Sequence, residues 1–175
     1  MNFWETLAVA LISSSSAILA SFLTNRSNES RLRLQSELDS KKEFEKIRIS
    51  KAEEIFKSAG KYKNILFKYH TNLVSHCRGE IPIKDVMVLD SDSTPSVMVI
   101  ETGLAIYFPH LLTRFNKCRT ILKPANSLYF KMVDNPRMGI EEKLGFVNII
   151  FETGIKFDDE LDSICQEMIS YIRKD

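Results

Sequence analysis

The chain is poor in the residues that punctuate a fold. Its 175 positions hold 6 Gly and 5 Pro, too few for a many-stranded sheet that turns every ten residues or for a Gly-rich loop that cradles phosphate. Cysteine is scarce and odd in number, at three, which makes a poor disulfide framework and suits a reducing compartment. Neither sign of charge is in excess: 24 Lys and Arg stand against 23 Asp and Glu, a net charge of +1. That balance argues against a dedicated nucleic-acid binder.

Catalytic spacings are missing too. His70 and His76 lie six apart, off a shared helix face, and His110 stands alone beside Pro109. No Cys or His pair has chelating spacing, and neither Gly-Lys-Ser/Thr, Gly-x-Ser-x-Gly nor His-Glu-x-x-His occurs. Glu101 and Glu152 could face each other as a carboxylate pair, but capping or pairing with Lys117 or Arg119 is the simpler expectation. These absences predict a protein that is not an enzyme and that holds no cofactor and no metal.

What is present is unevenly spread. From Phe3 to Leu23, 14 of 21 residues are apolar, and no charge falls across the 19 residues from Thr6 to Thr24. As a helix that stretch spans roughly 28 Å, close to the hydrocarbon thickness of a bilayer. Phe3 and Trp4 sit at its edge, where aromatic rings favour the headgroup level. A signal peptide would want a basic start, and only Glu5 precedes the run. Residues 1–24 therefore read as a transmembrane anchor. Arg26, Arg31, Arg33, Lys41 and Lys42 follow the span and no Lys or Arg precedes it. The positive-inside rule then predicts a single pass through a bacterial inner membrane, N-terminus outside and body in the cytoplasm. Ser13, Ala17 and Ser21 are spaced four apart, as are Ser16, Ala20 and Thr24. Small residues at this spacing let helices approach and hydroxyls bond across the contact, which points to self-association in the membrane. The plainer alternative is that the hydroxyls bond their own preceding turn.

Residues 25–51 are dominated by charge, contain no Gly or Pro, and place opposite charges three or four apart, as in Glu37–Lys41. They read as a helical stalk, with a short coiled coil between copies as an option. Ala52, Ile55, Ala59, Tyr62, Leu66, Tyr69 and Leu73 then make a sustained helical stripe, stopped by Gly79 and Pro82. Residues 80–92 read as a connection with room for one short strand. Thr94-Pro95 predicts a helix start, and Val97, Ile100, Leu104, Tyr107, Leu111, Phe115, Cys118 and Leu122 form a second stripe. Pro109 predicts a kink over Ala105 to Phe108, and Lys123-Pro124 an end. After a loop through Asn135-Pro136, a last helix is expected from about Gly139 to Arg173, with Leu144, Val147, Phe151, Phe157, Leu161, Ile164, Met168 and Tyr171 on its apolar face and an interruption at Gly154. The expected fold is all-α: an N-terminal transmembrane helix, a helical stalk, and an antiparallel three-helix bundle over residues 52–175.

Charge is segregated along this body. No acid falls from Ile55 to Gly79 or from Thr102 to Val133, whereas nine acids face four bases from Ile140 to the end. The acidic last helix would neutralise two basic neighbours; alternatively, a basic surface is left for anionic headgroups or an acidic partner. The segment Ile106-Tyr107-Phe108-Pro109-His110-Leu111, with Glu101-x-x-Leu104 before it, resembles a Leu-Tyr-Phe-Pro-like segment of uncharacterised bacterial single-pass membrane proteins that have an N-terminal anchor and a long charged helix. That resemblance implies no activity and no site residues. Tyr107, Phe108 and Pro109 read as a packed kink, or else as a partner-binding notch. The partners expected are the lipid bilayer, further copies of the chain and an unidentified cytoplasmic protein. The function expected is contact-making by an anchored bundle; the alternative is a membrane-perturbing, toxin-like component of phage defence, motivated by the Ser run.

Overall fold

The computed structural model describes residues 2–86 and 89–174; the side chains of residues 5, 6, 8–11, 17, 89–93 and 174 lie outside the described set. Among the described residues every regular element is helical: α1 (Phe3–Cys77), a 3-10 turn (Ile83–Asp85), α2 (Leu89–Tyr107), α3 (Pro109–Thr120), α4 (Lys123–Asp134), α5 (Ile140–Leu144) and α6 (Val147–Lys174). The chain divides into two compact units, Met1–Ile47 and Arg48–Asp175. In the first, no described residue is buried.

The second unit holds the core. The seven-residue stripe of α1 is buried throughout, from Ala52 and Tyr62 at 5% exposure to Leu73 at 0%. Each large apolar side chain removed from water in this way contributes about 1.5–3 kcal/mol. Seven of the eight positions of the second stripe are buried with it; Tyr107 is half-exposed. The core has two parts. One gathers Ile55, Tyr62 and Leu66 of α1 with Leu104, Phe115, Phe157 and Leu161. The other gathers Tyr69, Leu73 and Cys77 with Val86, Met132, Met138 and Ile150.

Helix α1 stops as Gly79 and Pro82 imply. Gly79 takes a φ of +77°, its N–H donates to His76 O at 2.9 Å, and the Glu80 N–H donates to Ser75 O at 2.9 Å. Both bonds complete the Schellman pattern, which needs a residue without Cβ penalty at that site. The His76 Nδ1–H donates to Ile81 O at 2.9 Å and ties down the connection that follows.

Four expectations need correcting. The connection holds a 3-10 turn, and no strand occurs among the described residues. A lone strand has no neighbour to satisfy its backbone groups. Helix α2 begins at Leu89, so Pro95 lies inside it and not at its first position. Lys123-Pro124 opens a helix, α4, with Pro in the first turn, where its missing N–H would have had no intrahelical partner. The last segment, expected as one helix from about Gly139 to Arg173, is split between α5 and α6 at Gly145-Phe146. The body is thus all-helical, but its apolar stripes are carried by more segments than three.

Ion pairs join the later helices. Arg114 of α3 reaches Glu160 (2.6 Å), Ser163 (2.7 Å) and Glu167 (2.6 Å) of α6. Lys63 of α1 reaches Asp162 at 2.7 Å, and Arg119 pairs with Glu101, the partnership expected for that acid. The Arg114 guanidinium holds the Glu160 carboxyl below its usual value. Glu152 pairs with Lys156 of its own helix at 3.3 Å.

Candidate functional site

The N-terminal unit shows its apolar residues openly. Phe3 and Trp4 are each 74% exposed, and Ile12, Ile18, Leu19, Phe22 and Leu23 all exceed half exposure. Among the described residues, no helix is long and apolar enough to cross a membrane; the side chains at 6, 8–11 and 17, inside the expected span, are not among them. Of the residues expected to mediate self-association, Ser13, Ser16, Ala20 and Ser21 are exposed, and the side chain of Ala17 lies outside the described residues. The Ser16 hydroxyl donates to Ile12 O at 2.8 Å, and Thr24 does the same to Ala20 O at 2.8 Å. Those hydroxyls therefore bond their own preceding turn.

The Tyr107-Phe108-Pro109 segment separates two helices. Helix α2 ends at Tyr107, α3 starts at Pro109, and Phe108 between them leaves the helical region at φ −141° and ψ 55°. The ladder survives on either side, since Phe108 N–H donates to Leu104 O and Leu111 N–H donates to Phe108 O, both at 2.9 Å. Phe108 is wholly buried, and its ring meets Tyr171 edge-on at 6.2 Å. Tyr107 instead lines a hollow of about 420 Å³ between α1 and α2, with Met98, Ile106 and Lys51. The break thus sends one aromatic inward and leaves the other beside an open groove.

A further apolar surface follows the seam of α1 and α6. Arg48 lies over the Tyr171 ring at 5.1 Å, and Tyr62 meets Phe157 edge-on at 5.5 Å. Near one end, a hollow of about 380 Å³ is lined by Ile49, Ala52, Phe56, Met168, Ile169 and Ile172. Near the other, a hollow of about 190 Å³ is lined by Phe67, His70, Phe151, Gly154 and Ile155. Periodicity did not point to this surface. Its only signal in the sequence is that Phe56 and Phe67 are large apolar residues off the buried stripe.

His70 is the most perturbed base of the body. It is 7% exposed, and burial lowers its pKa from 6.5 to about 4, so it is neutral at pH 7. Its Nε2 has no hydrogen-bond partner among the described residues. Its Nδ1 side lies hard against α6, where a Cβ on Gly154 would come within 2.9 Å. Gly154 thus admits the imidazole. Cys77, Cys118 and Cys165 are free thiols, all buried; burial raises each pKa, to about 12 for Cys118 and about 11 for Cys165. Such thiols are poor nucleophiles. Among the described residues, no cluster of three or more His, Cys, Asp or Glu could hold a metal ion. The chain matches no family model, no curated protein and no solved structure.

Proposed function

We propose that this is a membrane-anchored helical protein that acts through protein contacts, with α1 beginning in the bilayer and the Arg48–Asp175 body on the cytoplasmic side. One observation carries the reading. The uncharged stretch from Thr6 to Thr24 is helical throughout, and every described large apolar side chain on it is exposed. Leaving so much apolar surface in water is costly at about 25 cal/mol per Å², and a bilayer removes that cost. The basic residues that follow orient it, with Arg26, Arg31 and Arg33 on the cytoplasmic side. The body contributes hollows and apolar patches suited to contacts with proteins, and catalysis has no positive support.

The membrane-perturbing alternative rests on Ser hydroxyls exposed to a neighbouring helix, and the bonds of Ser16 and Thr24 to their own turn give it no support. The anchor is tested by expressing the full chain in bacteria and washing the membrane fraction at high pH. The chain should stay in the pellet, and Ile18→Lys with Leu19→Lys should release it. A wild-type chain found wholly in the wash sinks the anchor. A cytoplasm-active reporter fused after Asp175 should function; activity from a periplasm-active one instead reverses the topology.

A further inference from the structure

Within the body, α1 from Arg48 onward and α6 run antiparallel, as the contacts of Arg48 with Tyr171 and Tyr62 with Phe157 and the approach of His70 to Gly154 require. Their shared outer face is apolar at both ends. Ile49, Phe56 and Phe67 are 44%, 53% and 69% exposed, and at 100° per residue they fall within about 20° of one another on α1. Phe151 and Ile155 of α6 are 49% and 60% exposed beside Phe67.

The two edges of this face differ in sign. On α1, Lys57, Lys61 and Lys68 are exposed, no acid follows Ile55, and none of the three makes an ion pair among the described residues. On α6, Asp159 is exposed and makes no ion pair among the described residues, whereas the exposed Glu152 and Asp162 pair within the chain with Lys156 and Lys63. Interpolating between the helix contacts places Lys57 level with Asp162, Lys61 within one residue of Asp159, and Lys68 level with residue 155.

We propose that a second copy of this chain covers the face in a parallel two-fold dimer, with the α6 of each copy lying on the α1 of the other. A two-fold axis along the helices exchanges α1 and α6 but preserves level. Phe67 of one copy then meets Ile155 of the second, and Phe56 meets the Ile169–Ile172 hollow. Lys61 meets Asp159. The antiparallel alternative sets α1 on α1 and opposes lysine to lysine, which disfavours it. This inference rests on the reading that the body works through protein contacts and is independent of the anchor.

The test uses full chains in a mild non-ionic detergent, with a short bismaleimide cross-linker. The buried native thiols leave a low background. Chains bearing Phe67→Cys mixed with chains bearing Ile155→Cys should give a dimer band that neither gives alone. A band from Phe67→Cys mixed with Ile49→Cys, without the first, means the antiparallel arrangement and overturns the proposal. So does the absence of any band. Lys61→Glu and Asp159→Lys, both at exposed positions, should each weaken the dimer about tenfold, and combining them in one chain should restore it. If Lys61→Glu leaves the dimer unchanged but releases the chain from vesicles containing anionic lipid, the face binds headgroups and the proposal fails. A chain that washes off membranes yet still cross-links from 67 to 155 loses the anchor and keeps the dimer.

Discussion

The two parts of α1 obey opposite rules. From Arg48 to Cys77, one stripe is buried to within a few per cent, joined by His70, Val74 and Cys77 towards its end; from Phe3 to Ile47, no described side chain is buried at all. A helix of ordinary propensity draws most of its stability from packing an apolar face. The later part has that face. The earlier part has only local support, such as Glu29–Arg33 at 2.7 Å, worth a few tenths of a kcal/mol. A long helix written without a buried stripe is one whose packing surface lies outside the body's core.

The sharpest way to test that contrast is to truncate one side chain in each part. Phe157→Ala, at 1% exposure and against Tyr62, should lower the stability of the body by about 3–5 kcal/mol in chemical denaturation. The pH dependence comes next. His70 has a folded pKa of about 4, below its unfolded 6.5, so the unfolded chain binds the extra proton. Stability is therefore full above pH 6.5 and falls as the pH drops to 4, by about 3 kcal/mol at most. His70→Phe should flatten that slope, and an unchanged slope would assign it to other groups. Gly154→Ala, which pushes a methyl against His70, should cost about 1–3 kcal/mol, and His70→Ala should relieve it. At the small end, Leu34→Ala, at 59% exposure in the first unit, should change the body's stability by less than about 0.5 kcal/mol. A large loss there would break the distinction between the two parts.

Which features the sequence disclosed follows from how local their causes are. The stripes of α1, α2 and α3 were legible because burial repeats with the helical period, and Gly79 was legible because few residues accept its φ. The start of α4 was not, because a Pro that ends one helix and a Pro in the first turn of the next look alike in sequence. Gly154 was legible only as a gap in the apolar face. Its role is to admit His70 from 84 positions away in the chain, and periodicity carries no information over that distance. The burial of His70 and the α1–α6 face are likewise products of tertiary pairing. The Ser run was visible from the start, but the destination of its hydroxyls was not.

The three sealed cysteines give the folded body a built-in stopwatch. Cys77 sits in one core, Cys118 and Cys165 in the other, and a thiol reagent can reach each only when its surroundings open. The order in which they are modified would therefore record which half of the body loosens first. No foreign probe would be needed.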